Sequence, residues 1–194
     1  MTMIRDKRTS FKDFRDYVDK LAVMLAYECA RELNMRKKSI KTPLGKFQGC
    51  AANGEIILLP ILRAGLGLVH GFNYIFPYAR IAHMGLYRDE EDLKPVKYYF
   101  KFPRLKHFNN TSVFILDPML ATGGSINCTI AELHRLGIRK IVIASLLCAP
   151  EGIKEIYSKY KHIPIYTCSL DKGLNKRGFI VPGLGDAGDR MFGT

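Results

Sequence analysis

Apolar residues Phe11, Phe14, Val18, Leu21 and Leu25 recur at intervals of three and four, which gathers them on one face of a helix. Ser10 can cap that helix, and Asp13 puts negative charge near its positive end. A polar stretch containing Pro43 and Gly45 follows, and then residues 55–62 read as a buried strand that opens into the loop Arg63-Ala-Gly-Leu-Gly67 and a further helix. Residues 80–85 resemble a second strand, leading into a charged, aromatic segment, 87–103, that suggests a protruding, flexible hairpin. The clearest strand is 112–117, with a glycine turn at its end and a helical pattern over 125–136; a strand at 140–147, a helix at 151–160 and a strand at 163–169 complete the series. Strands alternating with helices predict an α/β fold with a mostly parallel central sheet flanked by helices, whose ligands gather at the carboxyl ends of the strands. Residues 170–194 are glycine-rich and contain Pro182, so they suit neither a core strand nor a long helix. Phe179, Ile180, Val181 and Leu184 give this segment apolar anchors, and it reads as an ordered lid.

At 194 residues and 47% hydrophobic content, residues 1–194 fit one domain with a substantial core. The longest apolar stretch, 56–62, is interrupted by Pro60 and falls well short of the ~20 residues of a membrane-spanning helix. The first residues mix Arg5, Lys7 and Arg8 with Asp6 and Asp13 and carry no export signal. Cys29, Cys50, Cys128, Cys148 and Cys168 stand singly, as reduced packing residues of a cytoplasmic protein would. His70, His83, His107, His134 and His162 show no metal-ligand spacing and read as structural, so no protein metal ligands are expected. A formal charge of +12 attracts anions of any kind, and Arg36-Lys37-Lys38 by itself is a solvated basic surface.

Chemistry concentrates in Asp117-Pro-Met-Leu-Ala-Thr-Gly-Gly-Ser125, which joins a strand-end carboxylate, a glycine turn, two hydroxyls and a helix start. The backbone N–H groups of Thr122, Gly123, Gly124 and Ser125 can converge on a phosphate at the positive helix end, with the Thr122 and Ser125 hydroxyls as further donors. Asp117 is positioned to accept hydrogen bonds from ribose hydroxyls. A Gly-Gly turn is also ordinary strand-to-helix punctuation, and these residues alone leave both readings open. A P-loop fits this segment poorly because no Lys follows the second glycine and the glycine spacing is wrong, and the segment does not have the Gly-x-Gly-x-x-Gly spacing of the dinucleotide fingerprint.

The segment resembles the 5-phosphoribosyl-1-pyrophosphate (PRPP) motif of type I phosphoribosyltransferases, in the form used by the uracil phosphoribosyltransferase family. Leu59-Pro-Ile-Leu-Arg-Ala-Gly-Leu-Gly67, Gly85-Leu-Tyr-Arg-Asp89, Ala149-Pro-Glu-Gly152 and Phe179-Ile-Val-Pro-Gly-Leu-Gly-Asp-Ala-Gly-Asp-Arg190 are similar to that family's motifs and stand in its order. Where the wider superfamily carries two adjacent acids, this chain has Asp117 and Pro118, as the uracil enzymes usually do.

The resemblance implies transfer of phosphoribose from PRPP to uracil, giving UMP and pyrophosphate in pyrimidine salvage. It implies PRPP binding by Arg63, Arg88, Asp117, Pro118, Met119, Leu120, Ala121, Thr122, Gly123, Gly124, Ser125 and Asp186. Uracil binding falls to Ile180, Gly185, Asp186 and Ala187, and catalytic roles to Arg63, Arg88 and Asp186. In this reading Arg63 holds the pyrophosphate, Arg88 sits on a hairpin that closes as a cover, and Asp189 and Arg190 brace the loop through an ion pair. Asp186 reaches the PRPP site directly or through metal-bound water, and aiding removal of the uracil N1 proton is a further expectation for it. Mg2+ is implied with PRPP, a homo-oligomer as the assembly, and GTP as an effector known for some relatives. Relatives commonly carry an N-terminal arm before the segment matching Ile4 to Lys7, and this departure bears most on the oligomeric state. The alternative is an RNA-binding pyrimidine regulator on the same scaffold. The +12 charge permits it, but no basic-aromatic RNA-binding signature accompanies the charge, which argues against nucleic acid as a partner.

Overall fold

The computed structural model describes residues 1–88, 95–105 and 108–194, with the Arg88 side chain outside the description. A short turn, α1 (Thr2–Arg5), leads into α2 (Phe11–Cys29). Ser10 caps α2 as expected, its hydroxyl oxygen accepting from the Asp13 N–H at 3.1 Å. The inward face is rotated from the one the spacing suggested. Ala22, not Leu21, lies fully buried between Val18 and Leu25, and Phe11 is exposed. The next long helix causes this shift, because at Gly71 a Cβ would stand 2.6 Å from the Ala22 Cβ, so the two helices touch through their smallest side chains.

The polar stretch forms a hairpin that was not foreseen, β1 (Met35–Lys41) paired antiparallel with β2 (Lys46–Ala52). All of β1, with Arg36, Lys37 and Lys38, is exposed, so burial stamps no alternation on its sequence. Next come β3 (Glu55–Leu62), α3 (Leu66–Ile75), β4 (Arg80–Ile81) and β5 (His83–Arg88). The expected second strand is therefore split at Ala82. β6 (Pro95–Lys101) runs antiparallel to β5, so the two arms of the anticipated hairpin are present, while Asp89 and its neighbours through 94, like His107, lie outside the described residues. Lys97 on β6 bonds Glu132 of a flanking helix at 2.7 Å.

The remaining elements are β7 (Thr111–Leu116), β8 (Met119–Leu120), α4 (Gly124–Arg135), β9 (Lys140–Cys148), α5 (Pro150–Lys159), β10 (Ile165–Leu170), β11 (Gly173–Leu174), β12 (Ile180–Val181) and α6 (Ala187–Phe192). The sheet runs β10-β9-β7-β3-β5-β6, parallel except for the β5–β6 pair. Alternate residues of each central strand feed two cores. Leu58, Phe114, Leu116 and Val142 pack with α2 and α3 on one face. Ile57, Val113, Ile115 and Ile143 pack with α4 and α5 on the other. Burial on both faces explains why these strands read as near-continuous apolar runs.

In the terminal segment Ile180 and Leu184 are buried anchors as expected, whereas Phe179 and Val181 are exposed. Successive strand side chains point to opposite sides, so placing Ile180 inward turns both neighbours outward. Ala187 and Met191 supply the missing anchors. Cys29 and Cys148 are buried, and burial pushes their thiols up to about 12 and about 11. Cys50 departs from the packing role, being exposed on β2. Among the described residues no helix is long and apolar enough to cross a membrane.

Candidate active site

Three adjoining hollows lie at the carboxyl ends of β3 and β7. The first is a tight cradle formed by Asp117, Met119 and residues 120–126. Asp117 follows β7 directly, and one of its carboxylate oxygens accepts from the Met119 N–H at 3.3 Å. Pro118 is buried and absent from the lining; its carbonyl accepts from the N–H groups of Leu146 and Leu147, each at 3.0 Å, so it fastens the loop to the sheet. Leu120 contributes backbone to the cradle while its side chain is buried.

Gly123 has φ +84 at the start of α4, and no side chain caps that helix. The first-turn amides of a helix have no partners within it, so they and the aligned peptide dipoles face the cradle. A second loop supports this one from behind. At Gly152 a Cβ would stand 2.3 Å from the Ala121 carbonyl oxygen, and at Gly123 one would stand 3.1 Å from the Gly152 carbonyl oxygen. This back-to-back contact gives Ala149-Pro-Glu-Gly152 a structural role that its sequence did not disclose.

The second hollow, about 280 Å³, brings together Leu62, Arg63, Asp117, Ser125, Asp186 and their neighbours. The Leu62–Arg63 peptide bond is cis. The turn beyond it packs against β7, and a Cβ at Gly65 would meet the Leu116 carbonyl oxygen at 2.3 Å. Arg63 is more than half exposed, 3.4 Å from Asp189 and with its guanidinium 5.9 Å from the centre of the Phe192 ring. Such an exposed pair is weak, leaving the guanidinium available to an anion in the hollow. The backbone of Arg88 ends β5 at the base of the hairpin.

The third hollow, about 320 Å³, is walled by Met119 and Ala121 on one side and by Ile180, Gly185, Asp186 and Ala187 on the other. Gly185 has φ +83, a backbone shape that other residues rarely adopt, and the Val181–Pro182 bond is cis. Asp186 caps α6, its carboxylate accepting from the Asp189 N–H at 3.0 Å. Met119 and Asp186 line both the second and third hollows, so the two cavities are contiguous.

The expected pair between Asp189 and Arg190 is not formed. Asp189 faces Arg63, while Arg190 donates to the carbonyls of Ile4, Leu184 (2.9 Å) and Asp6 (2.7 Å) and lies 4.5 Å over the Phe14 ring. Carbonyl acceptors cannot be foreseen from side-chain chemistry, which is why an adjacent acid looked like the natural partner. Glu151 was also passed over. Its carboxylate accepts from the Leu174 N–H at 3.0 Å and so ties α5 to the terminal segment.

Among the described residues no group of three or more His, Cys, Asp or Glu side chains could hold a metal ion. Asp117 and Asp186 nevertheless line one hollow and offer hard oxygen donors. That set fits a magnesium ion that brings phosphate and water as its other ligands.

A mostly parallel sheet with a tight cradle at a helix start, a pair of antiparallel strands at its edge and a glycine-rich terminal segment beside the cradle is the architecture of a type I phosphoribosyltransferase. The structure of a purine phosphoribosyltransferase from Pyrococcus horikoshii shares this fold at TM-score 0.54 and 18% identity, over 80% of this chain and 83% of that one. The family model described as uracil phosphoribosyltransferase matches residues 1–194, and the chain belongs to that family. A relative named uracil phosphoribosyltransferase in Pediococcus pentosaceus is 47% identical over 100% of this chain and 92% of its own length. The structure of the AQ2163 protein from Aquifex aeolicus superimposes with TM-score 0.90 at 36% identity, covering 98% of this chain and 91% of that one.

Proposed function

We propose that the chain transfers the 5-phosphoribosyl group of PRPP to N1 of uracil, forming UMP and releasing pyrophosphate. The observation that carries this reading is the continuity of the three hollows, with Asp186 and Met119 common to the second and third. A ligand with a terminal phosphate in the cradle, its ribose beside Asp117 and its base against Gly185 and Ala187 spans them in one direction.

The reaction breaks the bond between the anomeric carbon and a pyrophosphate oxygen, forms a bond from that carbon to uracil N1, and removes the N1 proton. Positive charge builds on the sugar and negative charge on the leaving group, so fixed charges dominate the catalysis. Arg63, in the second hollow, can hold the departing pyrophosphate with its planar fork of donors. Arg88, at the hairpin base, is the second proposed cationic contact. Closure of the hairpin would exclude water and so favour transfer over hydrolysis of PRPP. Magnesium enters with PRPP as substrate and neutralises its pyrophosphate. Asp186, between the sugar and base hollows, is placed to orient that complex or to take the N1 proton.

The Gly-rich wall of the third hollow offers backbone donors and acceptors that can match the edge of uracil, whereas the amino group of cytosine would meet a donor. Family membership supports a homo-oligomer, GTP as an effector and a cytoplasmic setting as further parts of this reading. Sedimentation with and without GTP, alongside the activity at each concentration, tests the first two.

The decisive measurement is UMP formation from labelled uracil with magnesium and PRPP. Turnover is expected for uracil well above cytosine, hypoxanthine or orotate. Arg63→Ala and Asp117→Asn are each expected to lower kcat/KM by about 10²–10³-fold, the usual cost of removing one charged transition-state contact. A wild-type protein that binds PRPP but prefers a purine sinks the base assignment, and one that forms no nucleotide sinks the enzyme reading.

A further inference from the structure

We propose that Arg5 and Asp171 are positioning residues that hold the base-binding loop in register with the sugar-phosphate site. The pair joins parts of the chain 166 residues apart: Arg5 closes α1, and Asp171 follows β10. Arg5 grips both carboxylate oxygens of Asp171, at 2.7 and 2.5 Å, and donates to the Ser169 hydroxyl at 3.0 Å. Both members then hold the same residue of the terminal loop. Arg5 donates to the Gly183 carbonyl at 3.0 Å, and the Asp171 oxygen that takes the 2.7 Å bond from Arg5 also accepts from the Gly183 N–H at 2.8 Å.

Gly183 lies between Ile180 and Gly185, the two ends of the backbone arc that walls the third hollow. It has φ +62, and a Cβ there would stand 2.2 Å from the Ile180 carbonyl oxygen, so the arc is folded tightly back on itself at this residue. Fixing its N–H and its C=O fixes the two peptide planes that flank its Cα, and therefore the direction in which the following residues leave. Arg190 repeats the device at the far end of the arc, where it holds the Leu184 carbonyl together with those of Ile4 and Asp6. The N-terminal segment thus acts as a strut behind the loop, although none of its residues lines the three hollows.

A bidentate, largely dry ion pair is a strong way to hold one backbone orientation. Asp171 keeps 3% of its side chain exposed and Arg5 keeps 23%. Recognition of a small planar base through backbone groups needs those groups within a few tenths of an ångström of their places, and the Arg5–Asp171 pair confines them at the tightest bend of the arc. Loosening the strut should therefore weaken base binding and leave PRPP binding alone.

This inference rests on the uracil transferase reading, and the test separates the two. Steady-state kinetics of wild type, Arg5→Lys, Arg5→Ala and Asp171→Asn are measured with uracil varied at saturating PRPP and the reverse, with calorimetry of magnesium–PRPP binding in parallel. A wild type without turnover defeats the transferase reading itself. With an active wild type, Arg5→Ala and Asp171→Asn should raise the uracil KM by about tenfold or more, the usual consequence of freeing a charge-assisted hydrogen bond, with PRPP affinity within about twofold. Arg5→Lys, which keeps the charge but not the fork, should fall between, and amide exchange at Gly183 should quicken in the same order. If the uracil KM stays unchanged while only thermal stability falls, or if both substrates weaken equally, the pair is a general brace and the proposal is overturned. Should the stronger variants fail to fold, Arg5→Lys decides by the same two ratios.

Discussion

At the scale of single residues, the site draws on groups whose surroundings fix their charge. The Arg5 guanidinium holds the Asp171 carboxyl below its ordinary 3.8, helped by the Gly183 N–H and opposed by burial. A carboxyl depressed in the folded state adds stability above its unfolded value and loses that contribution as pH falls through the folded one. The difference in urea unfolding free energy between wild type and Asp171→Asn should therefore be constant near neutrality and shrink as pH drops below about 3.8. At pH 7 the loss should lie toward the low end of the about 3–5 kcal/mol for breaking a buried pair, because Arg5 keeps contact with water. Such a network is nearly illegible in sequence. Arg5 and Asp171 belong to no motif with internal spacing, and only folding brings them together.

At the scale of elements, close backbone approach sets the geometry of the loops. The turn after β3 lies against the end of β7 because Gly65 has no side chain, with the Leu116 carbonyl oxygen 2.3 Å from where a Cβ would be. Gly65→Ala should push these loops apart, lowering stability by about 1–3 kcal/mol. For a chain of this size that is a fall in Tm of roughly 2–4 °C per kcal/mol, readable by calorimetry. Activity should fall more than stability, since Arg63 and Asp117 stand on the two loops being separated. Gly123→Ala meets both a positive φ and the Gly152 carbonyl, so it should weaken PRPP binding in calorimetry while leaving the uracil-side arc in place. The central strands and their helices were legible because burial on both faces of the sheet writes long apolar runs. The β1–β2 hairpin was not, since solvent on both sides leaves no pattern to read.

At the scale of the whole molecule, the charge of +12 gives an anionic substrate a favourable approach and a neutral one none. The KM for PRPP should rise as salt is raised from low to physiological levels, as screening shortens the reach of the field, while the KM for uracil stays nearly flat. Equal salt dependence for both substrates would count against steering and point to a salt effect on the fold. The charge comes from residues scattered along the chain, among them the exposed β1 lysines, so it could be counted from sequence but not located.

The sequence by itself determined the alternation of the central strands and helices, the glycine turn after Asp117 and the motif set that marks the family. These are local properties, written by side-chain periodicity, by the need for glycine at tight turns and by contiguous residues acting together. The tertiary structure decided how the ends of the chain cooperate. It set Asp186 between two cavities, turned Pro118 into the sheet, paired Asp189 with Arg63, and sent Arg190 and Arg5 to backbone carbonyls at distant positions. Each of those outcomes depends on which surfaces the fold brings together, and a charged group pairs with whatever partner lies nearest once they meet.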